Sequence, residues 1–224
     1  MRIVLPLAGF AVVALAALTL RPDLVPGSRV GVETHAAGGG VAAATVAEKD
    51  ATAPGPVETV VSLTTYPVDG SDETAILHAM ARAAPRVDGE VFFGLTVTEL
   101  SLRYSHHATA ASCALSGVRV GLAVQTTLPA WTPGPDAGPD LRRDWARFAA
   151  NLRRHEDGHR RLAEAGAERV RDALGRLAAP TCAAVDTAAR HRAEQVRIET
   201  DAEHRRYDDE TGHGRTQGAV WPLP

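Results

Sequence analysis

The sequence predicts an α+β domain in which a small antiparallel sheet packs against one long helix, with a second helix C-terminal to it. Three observations carry this prediction. Val118, Val120, Leu122 and Val124 alternate strictly with Arg119, Gly121, Ala123 and Gln125, the period of a half-buried antiparallel strand. Leu141, Trp145, Phe148 and Leu152 recur at spacings of four, three and four, the apolar stripe of an amphipathic helix. From Ala183 to about Asp208 the chain reads as a second helix, strongly charged and therefore largely exposed.

The chain of 224 residues, 45% of them hydrophobic, suits one domain with additions and can supply a core. Its net charge of −3 gives no reason to expect nucleic acid or an anionic membrane surface as partner. Met1 to Leu20 reads as an export signal: Arg2 supplies the positive start and an apolar run follows. Ala14-Leu15-Ala16 offers a small-x-small cleavage site, and an uncleaved run would serve as a membrane anchor. Either way the remainder lies outside the cytoplasm, secreted or periplasmic. Residues 21–56 are rich in Gly, Ala and Pro and show no apolar period, as a flexible spacer does. In an oxidising compartment Cys113 and Cys182 are expected to pair with each other.

The domain begins at Val57. Val57 to Val68 is short and rich in β-branched residues, a strand ended by the turn signal Pro67-Val68-Asp69-Gly70. Ser71 is placed to cap a helix with Asp72 and Glu73 in its first turn and Ile76, Leu77 and Met80 on its apolar face; Pro85 stops it. Thr96, Thr98, Leu100, Leu102 and Tyr104 share one face of the next strand. A connection containing His106 and His107 then leads from Ser105 to Ser112 and into the strand of Val118 to Val124, as a hairpin. A Pro/Gly loop over Thr132 to Pro139 precedes the long helix, expected from about Asp140 to Leu177.

That helix contains His155-Glu156-x-x-His159. Residues i and i+4 stack on one helix face, so both imidazoles can reach one Zn²⁺. Glu156 follows the first of them, where a carboxylate takes a proton from water without being a ligand. The histidines continue the phase of Leu152 onto the inward stripe, and imidazoles there are costly unless a metal or hydrogen bonds satisfy them. Gly158, in mid-helix, permits another segment or a substrate to come close.

A catalytic zinc takes three protein ligands and leaves one position open. His213, set between Gly212 and Gly214 where the backbone can turn sharply, is the expected third ligand; Glu203 and His204 on the second helix are the alternatives. Trp221 argues that the tail is packed rather than frayed.

The chain resembles the bacterial domain-of-unknown-function family described as predicted secreted zinc-dependent proteases. The residues that carry the resemblance are Tyr66-Pro67-Val68-x-Gly70, Gly94-x-Thr96, Thr127-Leu128-Pro129-x-Trp131, His155-Glu156-x-Gly158-His159 and Tyr207-Asp208-x-x-Thr211-x-His213-Gly214. The resemblance implies export, zinc and proteolysis for residues 57–224, with a zincin-like fold. The expected function is therefore an exported zinc metallopeptidase acting on a peptide or protein substrate. Its ligands are His155, His159 and His213, its general base is Glu156, and Tyr207 stabilises the developing oxyanion. Two other classes fit the same residues: an exported zinc-binding envelope module without peptidase activity, and a zinc hydrolase of non-peptide envelope substrates.

Overall fold

The computed structural model describes residues 54–223 together with the two-residue strand Thr19–Leu20. Apart from that strand, the expected export signal and the spacer up to residue 53 lie outside the described residues. In chain order the elements are β1 (Thr19–Leu20), β2 (Glu58–Val68), α1 (Glu73–Ala83), β3 (Arg86–Val87) and β4 (Glu90–Val91). They continue with β5 (Leu95–Ala108), β6 (Cys113–Trp131), α2 (Pro139–Leu174), β7 (Ala178–Ala179) and α3 (Cys182–Thr211), followed by a 3₁₀ turn over Arg215–Gln217.

β5 and β6 form the expected antiparallel hairpin, turning at Thr109 to Ser112. Thr109 Oγ1 accepts from the backbone N–H of Ser112, which closes that turn locally. His106 and His107 therefore sit within β5 and not in the connection. The alternation holds as far as Leu102: Thr96, Thr98, Leu100 and Leu102 pair across to Thr126, Val124, Leu122 and Val120 on one face, buried except at half-buried Thr126. A register shift between Arg103 and Ser105 leaves half-buried Tyr104 out of that ladder.

The sheet is mixed where an antiparallel one is expected. Its order is β1-β5-β6-β2, and β2 runs parallel to β6 from Glu58↔Gly121 to Val68↔Trp131. The reason is the connection: α1 and the β3–β4 ribbon separate β2 from β5, long enough for β6 to enter between them. β2 is an edge strand, and Val60, Val61 and Leu63 on it are exposed.

Helix ends follow side-chain chemistry. Asp72, not Ser71, caps α1 by accepting from the N–H of Ala75 at 2.9 Å. α2 ends at Leu174, earlier than its apolar phase suggests, because the chain leaves to join the sheet. The Leu115 N–H bonds Leu177 O, and β7 pairs with Cys113 and Ala114. Thr181 caps α3. One face of α3 is exposed as expected, but Val185, Ala189, Ala193 and Val196 form a buried stripe against α2 and the sheet. Cys113 and Cys182 are disulfide-bonded, tying the start of β6 to the start of α3.

A second apolar cluster joins α1, β2 and α2 through Ile76, Met80, Phe148 and Leu152, all fully buried, each worth about 1.5–3 kcal/mol of transfer free energy. Trp221 belongs to it, and its indole N–H donates to Glu73 O at 3.0 Å. The tail is thus pinned, which fixes the position of everything between α3 and Trp221. Among the described residues no helix is long and apolar enough to cross a membrane.

Candidate metal centre

The inward phase of α2 delivers His155, Glu156 and His159 to the interior, none more than 1% exposed. α3 crosses them from the other side and contributes Asp208, also buried. His155 Nε2 and His159 Nε2 are 3.3 Å apart, and Asp208 Oδ1 lies 3.2 Å from the first and 3.1 Å from the second. These three atoms can converge on one ion. Tetrahedral zinc with bonds of 2.0–2.1 Å needs donor atoms about 3.3 Å apart, so the spacing fits.

Burial alone would raise the Asp208 carboxyl, but hydrogen bonds from His155 and His159 outweigh it and hold the group down at about 2. Burial pushes the His159 imidazole below its ordinary value, against the pull of Asp208. The site is thus an anionic carboxylate facing two imidazoles, one of them held neutral, a donor set that could hold a metal ion.

Glu156 stands beside these groups and differs from Asp208 in kind. Burial pushes its carboxyl up to about 7, although His155 and the Thr96 hydrogen bond both act to lower it. Thr96 Oγ1 donates to Glu156 Oε2 at 2.8 Å and is itself 3.1 Å from Thr126 Oγ1. Gly94, just before β5, lets the backbone approach: a Cβ there would collide with Glu156 Oε1.

Gly158 has the same role on the opposite side. The segment it admits is Tyr207, whose hydroxyl and ring fill the space a Cβ would take. Tyr207 stacks on His155 with ring centroids 5.1 Å apart, and its hydroxyl donates to His155 O at 3.3 Å and accepts from Gln217 Nε2 at 3.0 Å. Gln217 Oε1 is 3.2 Å from His155 Nδ1, so each edge of that ring is held.

A family model described as "Bacterial protein of unknown function (DUF922)" matches residues 63–214. The chain belongs to this family. No curated protein and no solved structure gives a match. The matched span runs from β2 to Gly214 and so takes in every member of the cluster.

Within this family member, the sequence-expected His155, Glu156, His159 and Tyr207 come together. His213 stands at the rim: its Nδ1 is 3.7 Å from Asp208 Oδ1, buried and without a hydrogen-bond partner, while the side chain as a whole is 37% exposed. Gly212 and His213 both take left-handed backbone, φ 54° and 53°, which turns the chain back toward α2 as the glycines suggested. Gly214 then lies against the His155 ring. Glu203 is engaged elsewhere, 2.7 Å from Arg169. His204 faces His159 from behind, with Nδ1 atoms 2.9 Å apart. Asp208 is not among the ligands expected from the sequence, though it carries a signal there: it is four residues past His204 and inside Tyr207-Asp208-x-x-Thr211.

Proposed function

We propose that the chain is an exported zinc-dependent peptidase. The residues that would hold the metal are His155, His159 and Asp208, with His213 at the rim; zinc bound there supplies Lewis-acid polarisation of water and of a scissile carbonyl. Export is supported by the Met1 to Leu20 pattern and by the Cys113–Cys182 disulfide, a bond that persists in oxidising compartments.

The observation that carries the reading is Glu156. A carboxyl raised to about 7 both accepts and returns a proton near neutral pH, which general acid–base catalysis requires. Thr96 fixes its Oε2, and the missing side chain of Gly94 makes room for Oε1, so the group is aimed and not merely buried. Asp208, ionised and directed at the histidines, binds; Glu156 moves the proton. Two carboxyls driven in opposite directions mark a division of labour. Tyr207 would have to leave His155 O and Gln217 to donate to an oxyanion.

Zinc content and hydrolysis of a quenched fluorescent peptide pool test this together. Glu156→Gln should keep the metal and lose at least about a hundredfold in rate. Hydrolysis at the wild-type rate by that variant overturns the assignment.

One observation favours a second reading. If the unpartnered His213 Nδ1 joins the other three donors, the site closes at four and becomes that of a zinc-binding module. Cobalt-substituted protein separates the two: azide shifts the visible bands of an open site and leaves those of a closed one unchanged.

A further inference from the structure

His204 is the one histidine of the cluster that the metal reading leaves without work. It is 2% exposed, its Nδ1 is 2.9 Å from His159 Nδ1, and its Nε2 is buried with no hydrogen-bond partner. The two rings lie 23° from parallel, so the nitrogens meet edge to edge. Two ring nitrogens at that distance share one hydrogen, and which ring owns it decides what the opposite edge of His159 can do.

Without a metal, the ionised Asp208 can only accept, so His159 Nε2, 3.1 Å away, carries a hydrogen. His159 Nδ1 is then the acceptor and His204 Nδ1 the donor. For His159 Nε2 to offer its lone pair to a cation, the arrangement must be reversed: hydrogen on His159 Nδ1, lone pair on His204 Nδ1, hydrogen on His204 Nε2. The last of these needs an acceptor. His204 borders a cavity of about 40 Å³ lined also by Thr98, Thr200 and Asp201, and a water needs roughly 10–15 Å³.

We infer that His204 is the positioning residue that makes His159 a metal ligand, and that metal binding reverses the tautomers of both rings. The inference rests on the metal-centre reading. Protons balance: one leaves His159 Nε2 for solvent, the shared one crosses from His204 Nδ1 to His159 Nδ1, and one is taken up at His204 Nε2 from solvent. The pair holds two before and two after. A histidine takes the place that a carboxylate or a carbonyl fills behind most metal-bound imidazoles, and it adds no charge there.

Long-range ¹H–¹⁵N NMR of the full chain labelled in histidine, with EDTA and then with one equivalent of zinc, tests this directly. His204 should change from the Nδ1–H to the Nε2–H form as His159 changes from Nε2–H to Nδ1–H. A His204 that keeps Nδ1–H in the zinc-bound chain overturns the inference. Zinc affinity, read by competition with a chromophoric chelator, gives a second measure. His204→Leu removes the acceptor and should weaken zinc binding about 10–100-fold. His204→Asn keeps an oxygen at the Nδ1 position and should stay within a few-fold of wild type. Wild-type affinity in His204→Leu, or an equal loss in both variants, shows a packing role and refutes it. If neither variant folds, the wild-type spectra decide. A wild-type chain that binds no zinc overturns the metal-centre reading and this inference with it; the outcomes above overturn this one alone.

Discussion

Replacing Glu156 by Gln removes a buried titrating carboxyl, so its effect on stability must depend on pH. In the folded chain without metal the carboxyl is raised from 4.5 to about 7, chiefly by burial. A group whose folded pKa lies above its unfolded value contributes stability that is complete below the unfolded pKa and is lost as pH rises through the folded one. The window is therefore pH 4.5 to about 7, and a rise of that size corresponds to about 3 kcal/mol at roughly 1.4 kcal/mol per pH unit. Glutamine keeps the shape and can still accept from Thr96 without this titration. Relative to the variant, wild type should thus lose about 3 kcal/mol between pH 4.5 and pH 8. The assay is urea unfolding of the full chain in EDTA, wild type and Glu156→Gln side by side in half-unit steps. The other ionisable groups are common to both proteins, so the difference reads Glu156 together with its coupling to His155 and Asp208. A stability difference that stays flat across the window would show that Glu156 is not held in a raised state, and the division of labour between the two carboxyls would fall with it.

Other perturbations follow from single contacts. Asp208→Asn should weaken zinc binding more than about a hundredfold and more than His213→Ala does, measured by chelator competition, because Asp208 Oδ1 converges with both Nε2 atoms and His213 stands off. Gly158→Ala places a methyl where the Tyr207 hydroxyl lies, so α3 must shift and zinc affinity should fall at least about tenfold with secondary structure retained by circular dichroism. Cys113→Ala with Cys182→Ala opens a loop with a sequence separation of 69 and should cost about 4 kcal/mol in urea unfolding, with a lowered midpoint.

Local periodicity determined the elements and failed at the joins. The hairpin of β5 and β6, the inward phase of α2 and the burial of Trp221 all follow from patterns of a few residues, and all hold. The parallel pairing of β2 does not follow from its own residues. It depends on where β6 inserts, after α1 and the β3–β4 ribbon have intervened in the chain; the Tyr66 hydroxyl also ties β2 to this intervening segment by donating to Phe93 O. Likewise Leu177 keeps the helical phase of α2, yet its carbonyl is taken by the Leu115 N–H of the sheet.

The site divides along the same line. His155, Glu156 and His159 share one helix, so their spacing reveals them. Asp208 lies 49 residues beyond His159, and only the crossing of α2 with α3 brings it within 3.1 Å. That crossing is set by small residues. Gly158 admits the Tyr207 ring and Gly166 admits Thr200, and a Cβ at either would force the helices apart. With the helices separated, Asp208 would leave the two Nε2 atoms and His204 would leave His159. The glycines of α2, which weaken it as an isolated helix by about 1 kcal/mol each, are therefore what brings the distant half of the cluster into contact. A metal held by that cluster would in turn bond α2 to α3, so removing it should loosen the crossing at Gly158 before it loosens the hairpin. Amide exchange around Tyr207 that rises on chelation, while exchange in β6 stays slow, is the expected result. Equal acceleration in both places would show that the cluster does not join the two helices.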